Sequence, residues 1–235
     1  MSDRPPTSRN ATTSPVAAHD PNALPWLSLA TYVLSEDDVF DAAERERLYA
    51  VLDSADAPEV HEFLVADDVT VQPLYSPGAD PTLELVAPYV VPINEELLSR
   101  LRADVWRDEW GLLVDTRIPL TTLVRHLRRL LLVDHPSGQT MLFRMYDPRV
   151  LRRFLPRCDA DELAHVFGPV DAYILPNDSG DGFTRYAAVE PSQVPARRRR
   201  ADLHHDPQHR PRLQLRPEHL AAFDTTGDHQ QGQRT

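Results

Sequence analysis

A chain of 235 residues with 41% hydrophobic content has room for one large domain or two small ones, and its net charge of −11 argues against general nucleic-acid binding. It contains no run of about 18 apolar residues, so no membrane-spanning helix is expected. The single Cys158 permits no intrachain disulfide; with no apolar signal core near the N-terminus, a cytoplasmic protein is the expectation.

Taken in chain order, residues 1–23 read as a Ser/Thr/Pro/Asp-rich disordered leader. Pro25 to Leu29 supply a first apolar anchor. Ser35 caps a short helix. Leu48 to Leu52 form a compact buried strand ended by Asp53, and a helix is expected near 56–66. Residues 69–75 read as a second strand, which Pro73 assigns to an edge or a late bend. Ser76-Pro77-Gly78 turns the chain. A short helix over Pro81 to Val86 and an edge strand over 87–93 come next. Asn94 caps a helix reaching about Val105, and Trp110 to Asp115 form a strongly apolar strand.

Pro119 opens a helix with Leu120, Leu123, Val124 and Leu127 inward and Arg125, Arg128 and Arg129 outward. Leu130 to Asp134, the His135-Pro136-Ser137-Gly138 turn and residues 140–146 read as a hairpin. Asp147 is a favoured N-cap type and Pro148 fits the first helical position, so a helix carries Val150, Leu151, Phe154 and Leu155 on one face. Asp159 and Glu162 stand at capping-box spacing, and Gly168-Pro169 ends that helix. A strand over Val170 to Leu175, a loop over 177–182 and a final strand near 186–190 complete the core. The reading is an α/β or α+β domain over residues 24–190, with its core at about 45–190 and a mixed sheet flanked by helices. Residues 191–212 form a Pro/Arg/His-rich linker, 213–225 a short C-terminal helix and 226–235 a mobile tail.

Charge is unevenly spread. Residues 36–68 hold twelve acids against Arg45 and Arg47, whereas 123–157 hold eight Arg against Asp134 and Asp147. Such a layout steers a partner of complementary charge, or pairs internally. Within the run Phe143-Arg144-Met145-Tyr146-Asp147-Pro148-Arg149, charges interrupt an apolar stretch. An arginine cannot lose its charge, so a buried Arg144 needs a carboxylate or carbonyl. The favoured reading makes Arg144, Asp147 and Arg149 a structural network joining strand to helix.

No constellation for catalysis is evident. The eight Gly form no phosphate-cradling loop, and no Gly-x-Ser-x-Gly occurs. His204, His205 and His209 lie in the linker without a Cys or carboxylate frame, so no metal is expected. Cys158 reads as a packed thiol. No cofactor is called for.

The landmarks Leu48 to Ala55, Ala87-Pro88-Tyr89-Val90, Trp110-Gly111, Leu123-x-x-His126-Leu127-Arg128-Arg129, Phe143-Arg-Met-Tyr-Asp-Pro-Arg-Val-Leu-Arg152, Phe154-Leu155-Pro156 and Phe167-Gly168-Pro169-Val170 together resemble the type VI secretion effector adaptor family. Its members are also called Tap or TEC chaperones, and the family was first catalogued as a domain of unknown function. The likeness spans about residues 45–190. It implies a bacterial cytoplasmic adaptor without catalytic activity that binds an effector toxin, through an N-terminal or PAAR-containing region, and the VgrG spike. It implies no nucleic-acid partner and no membrane insertion. Arg125, Arg128, Arg129, Arg144, Arg149 and Arg153 are the candidate partner-binding residues. Trp110, Gly111, Phe143, Tyr146, Asp147 and Pro148 form the structural motif. An uncharacterised α/β enzyme using Arg144, Arg149 and Arg153 on an acidic or phosphorylated small molecule is the alternative.

Overall fold

The computed structural model describes residues 27–45, 47–55, 64, 70–75, 86–104, 111–177, 182–189 and 212–224. The leader, most of the 56–66 helix, the 76–78 turn, the Pro81-to-Val86 helix except for its last residue, Trp110, most of the linker with its three His, and the tail lie outside these residues.

Seven strands form one sheet: β1 (Ser28–Leu34), β2 (Leu48–Asp53), β3 (Gln72–Pro73), β4 (Pro88–Ile93), β5 (Gly111–Asp115), β8 (Ala172–Pro176) and β9 (Phe183–Val189). Their order is β1-β9-β8-β5-β2-β4-β3. Every pairing in it is antiparallel. The α-and-β class holds, and the sheet is antiparallel where a mixed one was expected. The hairpin that prompted that expectation, β6 (Leu132–Asp134) with β7 (Thr140–Leu142), forms a separate two-stranded sheet. The central strands are nonetheless buried on both faces, which gives them continuous apolar runs of the kind usual in parallel sheets.

The period-two alternation divides those runs between two cores. Leu48, Ala50, Leu52, Leu113 and Ile174 face a core closed by α1 (Glu36–Glu44) and α2 (Glu95–Asp104) through Val39, Ala43, Leu97, Leu98 and Leu101. Val51, Val90, Leu112, Val114 and Tyr173 face the larger core. Against that face lie α3 (Leu120–Leu130), α4 (Pro148–Phe154), a 3-10 turn (Leu155–Arg157) and α5 (Ala160–Phe167). Leu213 and Leu215 of the C-terminal segment, and Leu220 and Phe223 of α6 (Pro217–Asp224), also join it. Each large side chain buried this way contributes about 1.5–3 kcal/mol of transfer free energy.

Local signals set the helix starts. Ser35 with Asp38, and Asp159 with Glu162, form complete capping boxes. Asn94 Oδ1 accepts from Leu97 N–H at 2.8 Å. Gly111 is required by packing: a Cβ there would lie 2.5 Å from the Val51 carbonyl oxygen. Gly168, at φ 46°, ends α5 with the His126 ring against its Cα.

Three element assignments change. Residues 28–34, of which only Ser28 and Leu29 fell within the expected apolar anchor, form edge strand β1 against β9. Residues 87–93, expected at an edge, lie between β2 and β3; β3 covers just Tyr89 and Val90, so Pro92 loses no ladder bond on that side. Pro73 does mark the sheet edge, in β3. The strand expected over 140–146 stops at Leu142, and Phe143, Met145 and Tyr146 beyond it are all buried. Residues 143–147 instead turn through Met145 N–H to Phe143 O and Asp147 N–H to Arg144 O.

Candidate interaction surface

The six candidate arginines fall into two environments. Arg144 and Arg149 belong to a chain of charges at the entrance to α4. Arg144 Nη2 donates to Asp53 Oδ2 at 2.7 Å, and the Asp53 side chain is 3% exposed. Asp53 Oδ1 also accepts from Ala55 N–H. Arg144 approaches Asp147 Oδ2 at 4.0 Å and lies 5.8 Å from the Tyr146 ring centroid. Asp147 caps α4 by accepting from Arg149 N–H at 2.9 Å, and the Arg149 guanidinium returns to both its carboxylate oxygens, each at 2.9 Å. Pro148 opens the helix at N1. Burial, followed by the Tyr75 hydroxyl 3.3 Å away, pushes the Tyr146 phenol far above its usual range. Arg153 is half-buried on α4, and its carbonyl accepts from Arg157.

Arg125, Arg128 and Arg129 stand together on the outer side of α3. An open groove of about 410 Å³ is lined by Gln72, Thr121, Val124 and these three arginines. Arg128 is not simply outward as the helical pattern suggested. Its Nη2 donates to the Pro73 carbonyl at 2.9 Å, and its buried Nε has no hydrogen-bond partner among the described residues. Arg125 and Arg129 are exposed, and neither has an ion pair among the described residues. Like charges three and four apart on a helix repel by a few tenths of a kcal/mol; the C-terminal end of the α3 dipole offsets part of this. The groove therefore carries concentrated positive charge on an acidic protein.

A third cluster, which the spacing of Cys158 did not reveal, lies where α6 docks. Cys158, Glu162 and His219 bring one potential ligand atom each within 4.8 Å of one another. The bonding around them serves another purpose. Arg216 grips Glu162 with Nε and Nη2 at 2.8 and 2.7 Å. His219 Nδ1 accepts from Arg216 N–H at 3.1 Å. That bond places the imidazole proton on Nε2, 3.5 Å from Glu162 Oε2, so Nε2 has no lone pair to offer a metal. Burial lowers the His219 pKa and keeps the ring neutral. Burial, then the Glu162 and Asp159 charges, raises the Cys158 thiol well above its ordinary range, which disfavours the nucleophilic thiolate.

Residues 48–165, half of the chain, match the family described as a domain of unknown function, DUF4123, and the chain belongs to that family. No curated protein and no solved structure matches it. The matched span contains both arginine groups and ends inside α5, so β1, β8, β9 and α6 lie beyond it. Among the described residues no helix is long and apolar enough to cross a membrane.

Proposed function

We propose that this protein is a non-catalytic adaptor that binds a type VI secretion effector and promotes its loading onto the VgrG spike tip. Membership of DUF4123, a family known for type VI effector adaptors, carries this reading. An adaptor acts in the cytoplasm before export and needs surfaces for protein partners. The arginine-lined face of α3 offers one such surface, because its charges are not consumed internally by described carboxylates. An enzyme using Arg144, Arg149 and Arg153 draws less support, since the first two guanidinium groups already engage Asp53 and Asp147.

The test is co-purification of the full chain with type VI toxin and spike proteins from the same organism. The expected result is a complex with each partner, from which the toxin is recovered with unchanged mass. Association with neither of them overturns the reading.

A further inference from the structure

The edge strand beside the α3 groove has a closed backbone. Pro73 has no N–H to offer, and its carbonyl already accepts from Arg128. β3 is two residues long and pairs with β4 on its other side. A partner segment arriving here finds no ladder to extend, so recognition falls to side chains. Those side chains are three guanidinium groups around a wall made by Val124, with polar atoms from Gln72 and Thr121.

We propose that this groove binds an extended acidic peptide segment of a protein partner, each carboxylate meeting a guanidinium fork. Four observations converge on that occupant. Arg125 and Arg129 have no counter-charge among the described residues. Arg128 is anchored through Nη2, which fixes the position of the fork beside the groove. Arg125 to Arg129 spans one helical turn, so the two exposed charges are about 6 Å apart along the axis. That interval suits carboxylates two residues apart on one face of an extended chain, which repeat at about 6.6 Å. The protein as a whole carries −11, so an acidic segment is repelled elsewhere and attracted here, which favours binding at this face over others. A bidentate arginine–carboxylate pair adds directional preference to the charge.

This inference rests on reading the α3 face as a docking surface, and its test runs on the purified full chain with no effector present. A fluorescent Gly-flanked hexaglutamate peptide is titrated against the protein, with a hexaglutamine peptide of equal length as control. The expected result is saturable binding of the glutamate peptide alone, weakened by added salt as the ions screen the pairs. Arg125→Glu combined with Arg129→Glu is expected to lower affinity at least ten-fold, roughly what the loss of two close charge pairs causes. The milder Arg125→Gln/Arg129→Gln variant is expected to fall between. Arg45→Glu, an exposed change at the C-cap of α1, is expected to leave affinity unaltered.

Equal binding of the glutamine peptide, undiminished binding by the double variant, or displacement by inorganic phosphate at the same concentration as the peptide would overturn the proposal; the last would mark a small-anion site. The two ideas fail separately. If hexaglutamate does not bind but the toxin still co-purifies, the groove assignment falls and the adaptor reading stands. If the peptide binds while toxin and spike do not, the reverse holds.

Discussion

Arg144 and Arg149 at the entrance to α4, and Arg125 and Arg129 on α3, are the same side chain in opposite circumstances. The first two meet carboxylates at 2.7 and 2.9 Å, and those carboxylates are buried. The second two meet none among the described residues and border an open groove. The type of residue says little about its role here; the location of the nearest carboxylate says more. A buried Asp that loses its Arg is left uncompensated, whereas an exposed Arg that loses nothing internal remains available to a partner.

Removing the carboxylates tests this contrast most severely. Asp53→Ala is expected to destabilise the fold by about 2–3 kcal/mol, since it strips Arg144 and Ala55 N–H of their acceptor. A denaturant titration showing under 0.5 kcal/mol would dissolve the distinction. Asp147→Ala loses both the cap and the bidentate Arg149 contact, for an expected cost of about 2 kcal/mol. Asp147→Asn keeps an oxygen for the cap and sharpens the point, with about 1 kcal/mol expected. A cost equal to that of Ala would show that charge, and not capping, dominates.

Arg144→Ala combined with Asp53→Ala in a double-mutant cycle is expected to show about 1 kcal/mol of coupling, moderated by Arg144 being 39% exposed. The smallest effect belongs to the other group. Arg125→Ala and Arg129→Ala are each expected to change stability by no more than about 0.5 kcal/mol, with slight stabilisation as repulsion is relieved. A large loss of stability from either would place it among the paired residues.

Arg216 extends the paired group to the docking of α6, and adds a pH dependence. Neutral His219 is favoured in the fold, with Glu162 and Glu218 opposing and Arg216 reinforcing the lowering by burial. The unfolded chain therefore takes up this proton first as pH falls, and the stability contributed here is complete above about pH 6.5 and declines below it. His219→Gln is expected to flatten that part of the profile of unfolding midpoint against pH. Superimposable profiles for the two proteins would show that the ring does not titrate differently in the two states.

Local chemistry was legible in the sequence. Ser35, Asn94, Asp147 and Asp159 all cap helices, and Gly168 ends one, because each acts within four residues of itself. The arginine stripe of α3 was also legible, as helical periodicity alone places Arg125 and Arg129 outward. What failed required distant partners. Arg144 finds Asp53 across 91 residues, and Arg128 finds Pro73 across 55. No spacing rule encodes either meeting. The strand β1 was missed because Ser28 to Leu34 have no regular alternation; their pattern becomes intelligible once β9 lies alongside. The α6 clamp joins residues 54 apart, and Cys158 alone gave no sign of it.

The placement of β1 also sets a timetable. Ser28 pairs with Val189, and 161 residues separate them. At about 5–20 residues per second on the ribosome, the strand waits roughly 8–30 s for its neighbour to be synthesised. Throughout that interval Ser28 to Leu34 form an uncharged stretch with Tyr32 and Val33, which remain half or more exposed even in the finished fold. A nascent segment of this composition is a natural target for holding chaperones, and the sheet gains this outer strand only after β9 has been made.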